Sequence, residues 1–394
     1  MRPVHAQHAL PAFPVYSSAF LSSTQLVLGG GGGASRSGIK NKLRLYDVKG
    51  ERSIELKYEY ELDKGEDAPM SMAGHIESGT IACGINSVEE KLVKGENENC
   101  RTFTVSNSEI QLLGTQNTLP AGDADLYQKV TVLSPDGTML AVAGSHDLAL
   151  LSYPTLTPIA ETIHTEKEIY DASFSGTSLV IATTTNLLIY SLPVETQTAA
   201  LSSSPKKSKK KSNKTTTDGL AQKLQVLALQ NKVELPSFTG DGSTFRAARY
   251  HPLDERFLYT VINTTPPRSK KSKGTARHAY ICKWNTDTWA VQKSRKVSDR
   301  GVTCVDLSPD GRFIGFGSSD LTIGMLDAQT LTPLVTILKA HEFPPTTIKF
   351  NPNTTLLVSG SPDNSIRLIT IPGEVGGSCQ SFLSFANFVV VLSN

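Results

Sequence analysis

The sequence predicts an all-β fold, a seven-bladed β-propeller, on the basis of three observations. Short β-rich runs separated by Gly, Asn, Asp, Ser and Pro fill the chain, whereas long amphipathic helical patterns are nearly absent. A loose unit of roughly 35–50 residues recurs seven times. Within the unit, an apolar strand is followed by a Ser-Pro-Asp-Gly turn, a strand ending in Gly-Ser, an Asp turn and a third strand. A two-sheet sandwich needs fewer strands and has no such period.

The seven copies of the unit differ in clarity. The clearest begin at Lys129, Gly301 and Thr346. Two of these contain Ser-Pro-Asp-Gly, in which proline presets φ and glycine accepts a positive φ. The weaker copies span Val15–Val48, Ala68–Leu113, Ile169–Leu192 and Phe245–Val297. We expect the opening segment Pro3–Leu10 to supply the outer strand that closes the last blade.

These units predict one propeller domain over residues 1–372 and a tail over residues 373–394. Two lysine-rich inserts interrupt the domain, a low-complexity segment at about 195–243 and a basic hairpin at about 265–276. The first insert holds six lysines within nine residues, a composition that cannot pack a core, so we expect a disordered loop. The residues after this lysine run are expected to return to the sheet as an outer strand.

Composition narrows the class of protein. The 394 residues are 39% hydrophobic and 19% charged, which is typical of a globular chain with a substantial core. A net charge of +2 is too small to predict a polyanionic partner for the whole surface. Because the basic runs have no interleaved aromatic residues, we expect solvated loops, at most lying near an anionic membrane surface, and no nucleic-acid partner.

The cysteines and the chain termini bear on the cellular compartment. Five cysteines lie far apart without a C-x-x-C pair, so neither zinc nor a disulfide framework is expected and a reducing compartment is favoured. The N-terminal region lacks the apolar core of a signal peptide, which predicts a cytosolic start. No stretch reaches the roughly 20 apolar residues of a membrane span. The closest is the final SFLSFANFVVVLSN, which stops as it becomes strongly apolar.

A run of five glycines, Gly29–Gly33, stands between two predicted strands. The connection from Gly29 to Lys40 has 12 residues, whereas a hairpin connection usually has two to five. Two interpretations stay open: a floppy surface loop, or a loop whose backbone must approach something closely. A P-loop is excluded, because Ile39 stands where lysine is needed and a strand pattern follows instead of a helix. Backbone carbonyls of such a loop suit a hard monovalent or divalent cation.

The last unit resembles a WD repeat in its polar residues. His341 precedes its first strand, Ser359 lies in its second and Asp363 lies in the turn before its third. In WD-repeat proteins these positions form a hydrogen-bonded structural network. Ile369 replaces the signature tryptophan, so the network is incomplete. A Ser–His–Asp catalytic interpretation has no nucleophile elbow to support it, and a structural role is favoured.

With the glycine loop placed in the first blade, the chain resembles the endoplasmic-reticulum guanine-nucleotide exchange factors that activate the small GTPase of the COPII coat. This is the prolactin regulatory element-binding protein family of WD-repeat proteins. The resemblance is carried by Phe13–Tyr16, by LVLGGGGG from Leu26, and by GIKNKLRLYDV from Gly38. The entry to the last blade, AHEFPPTTIKFNPN, agrees with it, and the resemblance spans roughly residues 10–372.

The resemblance implies a propeller on the cytosolic face of the endoplasmic reticulum that releases GDP from the COPII small GTPase and so starts vesicle formation for ER–Golgi protein transport. It implies that Ile39 and Asn41 contact the GTPase. It also implies that a potassium ion orders the loop, held by the backbone of Gly29, Gly30, Gly31, Gly32, Gly33 and Gly38. Exchange needs no covalent chemistry, because the factor acts by stabilising the nucleotide-depleted GTPase.

Family members are anchored by a C-terminal transmembrane helix, whereas this chain ends at Asn394 with that span absent or incomplete. A truncated form, a variant gene model and a soluble cytosolic isoform are the alternatives. Two other functions stay open as well. A WD-repeat scaffold without exchange activity predicts that loop substitutions affect no GTPase. A propeller hydrolase would need clustered His, Asp or Glu at metal-ligand spacing, which the sequence does not show.

Overall fold

The computed structural model describes residues 4–34, 37–50, 52–120, 126–193, 224–240, 242–265, 277–373 and 390–392. Its strands form seven sheets, six of them with four strands and one with five. The predicted all-β, seven-bladed propeller is thereby confirmed. Most of the two predicted lysine-rich inserts falls in 194–223 and 266–276, outside the described residues, so the expectation of disorder stays a prediction.

Each of the first four blades is a meander in which successive strands pair in antiparallel order. The chain begins with β1 (His5–Ala9). Blade 1 contains β2 (Val15–Phe20), β3 (Gln25–Gly30), β4 (Lys42–Lys49) and β5 (Ser53–Glu61). Blade 2 contains β6 (Ser71–His75), β7 (Thr80–Gly84), the helix α1 (Glu89–Val93), β8 (Cys100–Ser106) and β9 (Glu109–Gln116). Blade 3 contains β10 (Val130–Leu133), β11 (Met139–Ala143), β12 (Asp147–Ser152) and β13 (Ile163–His164). Blade 4 contains β14 (Ile169–Phe174), β15 (Ser178–Thr183), β16 (Asn186–Ser191) and β17 (Leu229–Glu234).

The remaining blades repeat this arrangement. A short 3-10 turn (Ser237–Thr239) leads into blade 5. Blade 5 contains β18 (Ser243–Tyr250), β19 (Phe257–Thr264), β20 (Ala279–Asn285) and β21 (Ala290–Ser298). Blade 6 contains β22 (Val302–Leu307), β23 (Phe313–Ser318), β24 (Ile323–Asp327) and β25 (Pro333–Leu338). Blade 7 contains β26 (Thr347–Phe350), β27 (Leu356–Ser361) and β28 (Ser365–Thr370). A last strand, β29 (Val390–Leu392), pairs in parallel with β25 and is the fifth strand of the blade 6 sheet.

Two outer strands lie where the sequence predicted them. The N-terminal strand β1 pairs with β28, with His5 opposite Ile369 and Ala9 opposite Ser365. It therefore completes blade 7, so the ring is closed by a hydrogen-bonded ladder between the two ends of the propeller. The strand β17, which follows the lysine run, pairs with β16 as the outer strand of blade 4. The described part of the chain contains no helix long and apolar enough to cross a membrane.

Hydroxyl groups join the innermost strands of neighbouring blades. Ser17 Oγ donates to the carbonyl of Pro69 at 2.6 Å, and Thr346 Oγ1 donates to the carbonyl of Val15 at 2.6 Å. These bonds join the beginning of one inner strand to the segment just before the next, so the inner strands run in the same direction. Val15 also pairs with Gly30 at the end of β3. The β3–β4 connection thus lies on the face that carries the N-terminal ends of the inner strands, hereafter the glycine-loop face.

Buried apolar side chains form seven clusters, and each fills one interface between consecutive blades. Between blades 1 and 2, Leu43, Leu45, Ile81 and Phe103 are fully buried. This distribution follows from the fold, because each blade of a propeller packs both faces of its sheet against the neighbouring blades. Blade 1, which carries the glycine loop, is therefore held on both sides by packed cores.

Candidate functional site

The first two glycines of the run belong to a strand and not to the loop. Gly29 pairs with Leu43 and Gly30 pairs with Lys42, so β3 continues to Gly30 and the connection covers residues 31–41. The predicted start of the loop at Gly29 was therefore wrong by two residues. A Cβ on Gly29 would lie 2.7 Å from Pro69 Cβ, and glycine is needed there because the neighbouring blade approaches closely.

The next two glycines bring the two limbs of the loop together. Gly31 has φ +140 and donates its N–H to the carbonyl of Pro14 at 3.0 Å. A Cβ on Gly31 would lie 2.7 Å from the carbonyl oxygen of Lys40, and one on Gly32 would lie 2.9 Å from that of Ile39. A side chain at either position would force the limbs apart. Close backbone approach is thus the reason for these glycines, and the floppy-loop interpretation does not fit their contacts.

Asn41 closes the base of this loop. Its side-chain oxygen accepts the N–H of Gly33 at 2.9 Å, and its Nδ2 donates to the carbonyl of Gly33 at 2.9 Å and to that of Glu66 at 2.7 Å. Only 8% of Asn41 is exposed. The contact with the GTPase that the sequence predicted for Asn41 stays a prediction; in the structure its bonds hold the base of the loop. Asparagine suits this role because its carboxamide donates and accepts at once.

The segment that joins blades 1 and 2 supplies a second support for the loop. Asp67, which is half-buried, accepts the N–H of Ala34 at 3.0 Å and that of Ala68 at 2.7 Å through the same oxygen, Oδ1. Burial raises the pKa of the Asp67 carboxyl, and the two N–H groups oppose that rise. The loop is therefore tied to the neighbouring segment by a carboxylate as well as by a carboxamide.

A buried ion pair anchors this joining segment to blade 2. Arg101 Nη2 lies 2.6 Å from Glu66 Oε1, and both side chains are about nine-tenths buried. Arg101 also donates through Nε to the carbonyl of Glu98 at 3.1 Å, and the other carboxylate oxygen of Glu66 accepts the N–H of Asp63 at 3.1 Å. The glycine loop is thus connected through Asn41 and Glu66 to the second blade. Sequence reasoning missed Glu66, Asp67 and Arg101, because no local pattern pairs them.

The outer part of the loop borders an open cleft of about 570 Å³. Ile39 is half-buried at this cleft, facing the joining segment Leu62–Gly65 across it. Gly38 has φ +75, and a Cβ there would meet nothing within 4 Å, so this glycine is needed for its backbone angle and not for space. Lys40 forms an ion pair with Glu61 at the rim. The structure thus places Ile39 beside the cleft, half-buried and opposite Gly32, and Asn41 at the base of the loop.

The donors available for a cation at this loop are oxygens. Among the described residues no group of three or more His, Cys, Asp and Glu side chains is placed to hold a metal ion. The Asp67 carboxylate contacts the loop at the N–H of Ala34, and carboxylate and backbone carbonyl oxygens are the ligand type that suits a hard ion. Gly29 and Gly30 belong to the sheet ladder. The glycines of the run and of the connection that lie outside the ladder are Gly31, Gly32, Gly33 and Gly38, and their carbonyls and the Asp67 carboxylate are oxygen donors of this loop.

The polar network of the last blade is present and sealed from solvent. His341 Nε2 lies 2.8 Å from Ser359 Oγ, and its Nδ1 lies 2.9 Å from Ser365 Oγ and 3.2 Å from Asp363 Oδ2. Burial opposes ionisation of Asp363, but hydrogen bonds from His341, Ser365 and the Glu342 N–H lower its pKa to about 2. The His341 and Asp363 side chains are 0% and 2% exposed, so no substrate reaches them. The predicted structural network is confirmed.

Comparison with known proteins agrees with this network. A family model described as WD domain, G-beta repeat matches residues 292–325 and 332–370, the regions of blades 6 and 7. These two regions of the chain are similar to WD repeats. Among solved structures, Raptor of Chaetomium thermophilum superimposes with a TM-score of 0.62 at 11% identity over 94% of this chain and 29% of that one. At this identity the likeness shows the fold alone.

The curated relatives of this chain carry exchange-factor names. It is 24% identical over 97% of its length to the putative guanine nucleotide-exchange factor SED4 of Candida glabrata, and 22% identical over 96% to SED4 of Saccharomyces cerevisiae. It is 22% identical over 93% of its length to the guanine nucleotide-exchange factor SEC12 of Candida glabrata. The predicted resemblance is confirmed. The chain spans 34% and 32% of the two SED4 proteins and 72% of SEC12.

Proposed function

We propose that this chain is a guanine-nucleotide exchange factor for a small GTPase, and that this GTPase is the one of the COPII coat at the endoplasmic reticulum. The similarity to SEC12 over 93% of the chain supports the activity. The identity of the GTPase, the membrane on which it acts and the role in vesicle formation come from the sequence resemblance. Exchange is proposed to proceed without covalent chemistry, by stabilising the nucleotide-free GTPase.

One observation supports the proposal: hydrogen bonds to the propeller hold the described residues at the base of the glycine loop. Gly33 is bonded in both directions to Asn41, Gly31 is bonded to Pro14, and Ala34 is bonded to Asp67. A segment that is ordered before binding does not lose its conformational entropy on binding, whereas a free loop of this length would lose about 1–2 kcal/mol per residue. Because a pre-ordered loop loses little entropy on binding, more of the free energy of its contacts with the GTPase is available to displace the nucleotide.

Ile39 is the residue proposed to meet the GTPase. It is the half-buried apolar side chain of the loop beside the cleft, and Asn41, two residues further along, holds the base of the loop. An apolar group pressed into a nucleotide site would displace the polar contacts that hold phosphate and magnesium. Loss of those contacts weakens GDP binding, which is the step that exchange requires.

A potassium ion is proposed to bind the same loop. The oxygens named above would hold it, and the ion would neutralise the carbonyl dipoles that the folded loop brings together. The bonds made by Asn41 and Asp67 reduce the number of residues that the ion must order, so its contribution is an addition to a loop already fixed at its base.

The proposal is tested by release of fluorescent GDP from the COPII small GTPase with catalytic amounts of this chain, in potassium and then in sodium buffer. Acceleration is expected, and it should be stronger in potassium. The Ile39→Ala variant should lose most of it while remaining folded. If folded wild-type protein accelerates release in neither salt, the exchange-factor proposal is wrong, and a WD-repeat scaffold would be the better account.

A further inference from the structure

The propeller axis holds an open channel of about 490 Å³ that the glycine loop does not reach. Its wall is formed by the innermost strands of all seven blades, and it carries both hydroxyl and charged side chains. The N-terminal ends of these strands lie on the glycine-loop face, as the bonds of Ser17 and Thr346 show. A partner seated on the glycine loop would therefore also cover the mouth of this channel.

Four cations line the described wall of the channel, and three of them have a carboxylate partner. Arg249 is paired with Asp171, Lys349 lies 2.9 Å from Asp306, and Lys129 lies 2.5 Å from Glu168. The carboxylates of the first two pairs also accept a backbone N–H group of the next blade. Asp171 accepts the N–H of Ala248 and Asp306 accepts that of Phe350, each at 3.0 Å. These pairs join blades 4 and 5 and blades 6 and 7, so they are structural.

The fourth cation is different. Arg246 forms no ion pair with a described carboxylate, and its residue is exposed. Its guanidinium carbon lies 4.6 Å from the centre of the Tyr170 ring, and Lys129 Nζ lies 5.7 Å from the same centre. The ring and a hydrogen bond with the Tyr170 side chain thus fix the direction of the exposed Arg246 side chain. A guanidinium has five N–H donors, more than this one bond uses. Two cations and one carboxylate, that of Glu168, surround Tyr170, so the cluster keeps an excess of one positive charge.

From this arrangement we propose that Arg246, held against Tyr170, binds an acidic side chain of the GTPase that the glycine loop engages. The inference rests on the proposed function and extends the footprint from blade 1 to blades 3, 4 and 5. A guanidinium presents planar paired donors that match a carboxylate. A contact at the channel mouth adds affinity and orientation without touching the nucleotide site, so it should act on binding and not on the exchange step.

Binding and exchange are measured for wild type and for Arg246→Ala and Arg246→Glu, using the nucleotide-free GTPase as the probe. Arg246→Ala should raise KM about fivefold with kcat unchanged, and Arg246→Glu should raise it further. Both should flatten the dependence of binding on salt. Arg256 is exposed in the β18–β19 connection at the opposite face, so Arg256→Ala and Arg256→Glu are matched controls that should leave KM unchanged. A Lys substitution of one GTPase acidic residue should restore binding to Arg246→Glu.

The outcomes separate this inference from the proposed function. If wild type does not bind the nucleotide-free GTPase, both are wrong. If wild type binds and the Arg246 variants bind equally well with the same salt dependence, only the channel-mouth contact is wrong. A third measurement replaces chloride by inorganic phosphate at equal ionic strength. If phosphate inhibits binding by wild type but not by Arg246→Ala, Arg246 binds a free anion at the channel mouth. That result would overturn the proposed contact with an acidic side chain of the GTPase.

Discussion

The carboxamide of Asn41 and the peptide groups of Gly33 hydrogen-bond to each other twice, from Gly33 N–H to Oδ1 and from Nδ2 to the Gly33 carbonyl, each at 2.9 Å. This reciprocal pair closes a connection that the run of glycines alone would leave free. Since Nδ2 also donates to Glu66 at 2.7 Å, one buried side chain ties the loop to the segment between blades 1 and 2.

Asn41→Asp tests this tie with almost no change in size. The aspartate cannot donate, so two carbonyls lose their donor and a carboxylate oxygen faces them. We expect a loss of about 2 kcal/mol in the free energy of unfolding. We also expect a fall of about 100-fold in exchange kcat/KM, because the loop is displaced. Urea unfolding and GDP release measure the two effects. Asn353→Asp is the control, since Asn353 is exposed and its side chain acts as an acceptor of the Thr355 hydroxyl.

Gly32→Val tests the close approach of the two loop limbs. A Cβ at Gly32 would lie 2.9 Å from the Ile39 carbonyl oxygen, so valine forces the limbs apart. We expect exchange to be abolished, with a change of less than about 1 kcal/mol in the free energy of unfolding because no core cluster is altered. Gly373→Val is the matched control, since a Cβ there meets nothing within 4 Å. A Gly32→Val protein with full exchange activity would rule out this account of the glycines.

The ion pair of Arg101 and Glu66 makes a prediction about stability. Arg101→Met leaves the Glu66 carboxylate buried without its partner, and we expect a loss of about 3 kcal/mol in the free energy of unfolding. The double variant with Glu66→Gln should recover a large part of it, which a double-mutant cycle in urea measures. Lys91→Met, which breaks an exposed pair with Glu98, should cost less than about 1 kcal/mol. Equal losses in Arg101→Met and Lys91→Met would contradict the anchoring role of the buried pair.

The lowered pKa of Asp363 predicts that the free energy of unfolding depends on pH in the acid range. Its pKa in the folded protein is lowered to about 2 from the ordinary value of 3.8. Its contribution to stability is therefore complete above the unfolded pKa and is lost as pH falls from about 4 to about 2. We expect up to about 2 kcal/mol to be lost in that window. Between pH 5 and pH 2, the free energy of unfolding should fall less steeply with decreasing pH for Asp363→Asn than for wild type. Parallel curves would show that Asp363 does not contribute this dependence.

Asp67 offers a test of the potassium ion that does not disturb the loop bonds. Asp67→Asn keeps an oxygen to accept the N–H groups of Ala34 and Ala68 but removes the negative charge. We expect an unfolding free energy within about 1 kcal/mol of wild type, and a potassium concentration for half-maximal exchange raised about tenfold. Glu61→Gln at the rim of the cleft is the control. Unchanged potassium dependence in Asp67→Asn would remove that carboxylate from the ion site.

The sequence was sufficient for the ring of blades, because turn chemistry and strand length repeat locally. The Ser-Pro-Asp-Gly turns form as predicted, with Gly137 at φ +67 and Gly311 at φ +72. The boundary of the glycine loop was not predictable, since Gly29 and Gly30 stay in the strand through contacts with Pro14 and Pro69. The pairing of Glu66 with Arg101, 35 residues apart, is likewise decided by how two blades pack and leaves no local pattern.

The proposed exchange activity depends on a glycine loop whose base is ordered in the free protein, before any GTPase binds. Amide hydrogen exchange of Gly31 and Gly33 tests it most directly, because their N–H groups are bonded to Pro14 and to Asn41. In potassium buffer, wild type should protect both amides, and Asn41→Leu, which removes the acceptor of the Gly33 N–H, should lose protection at Gly33 while the strand amides of blade 1 stay protected. If the amide hydrogens of Gly31 and Gly33 in wild-type protein exchange as fast as those of an unfolded chain, the loop is not ordered before binding and the proposed mechanism is wrong.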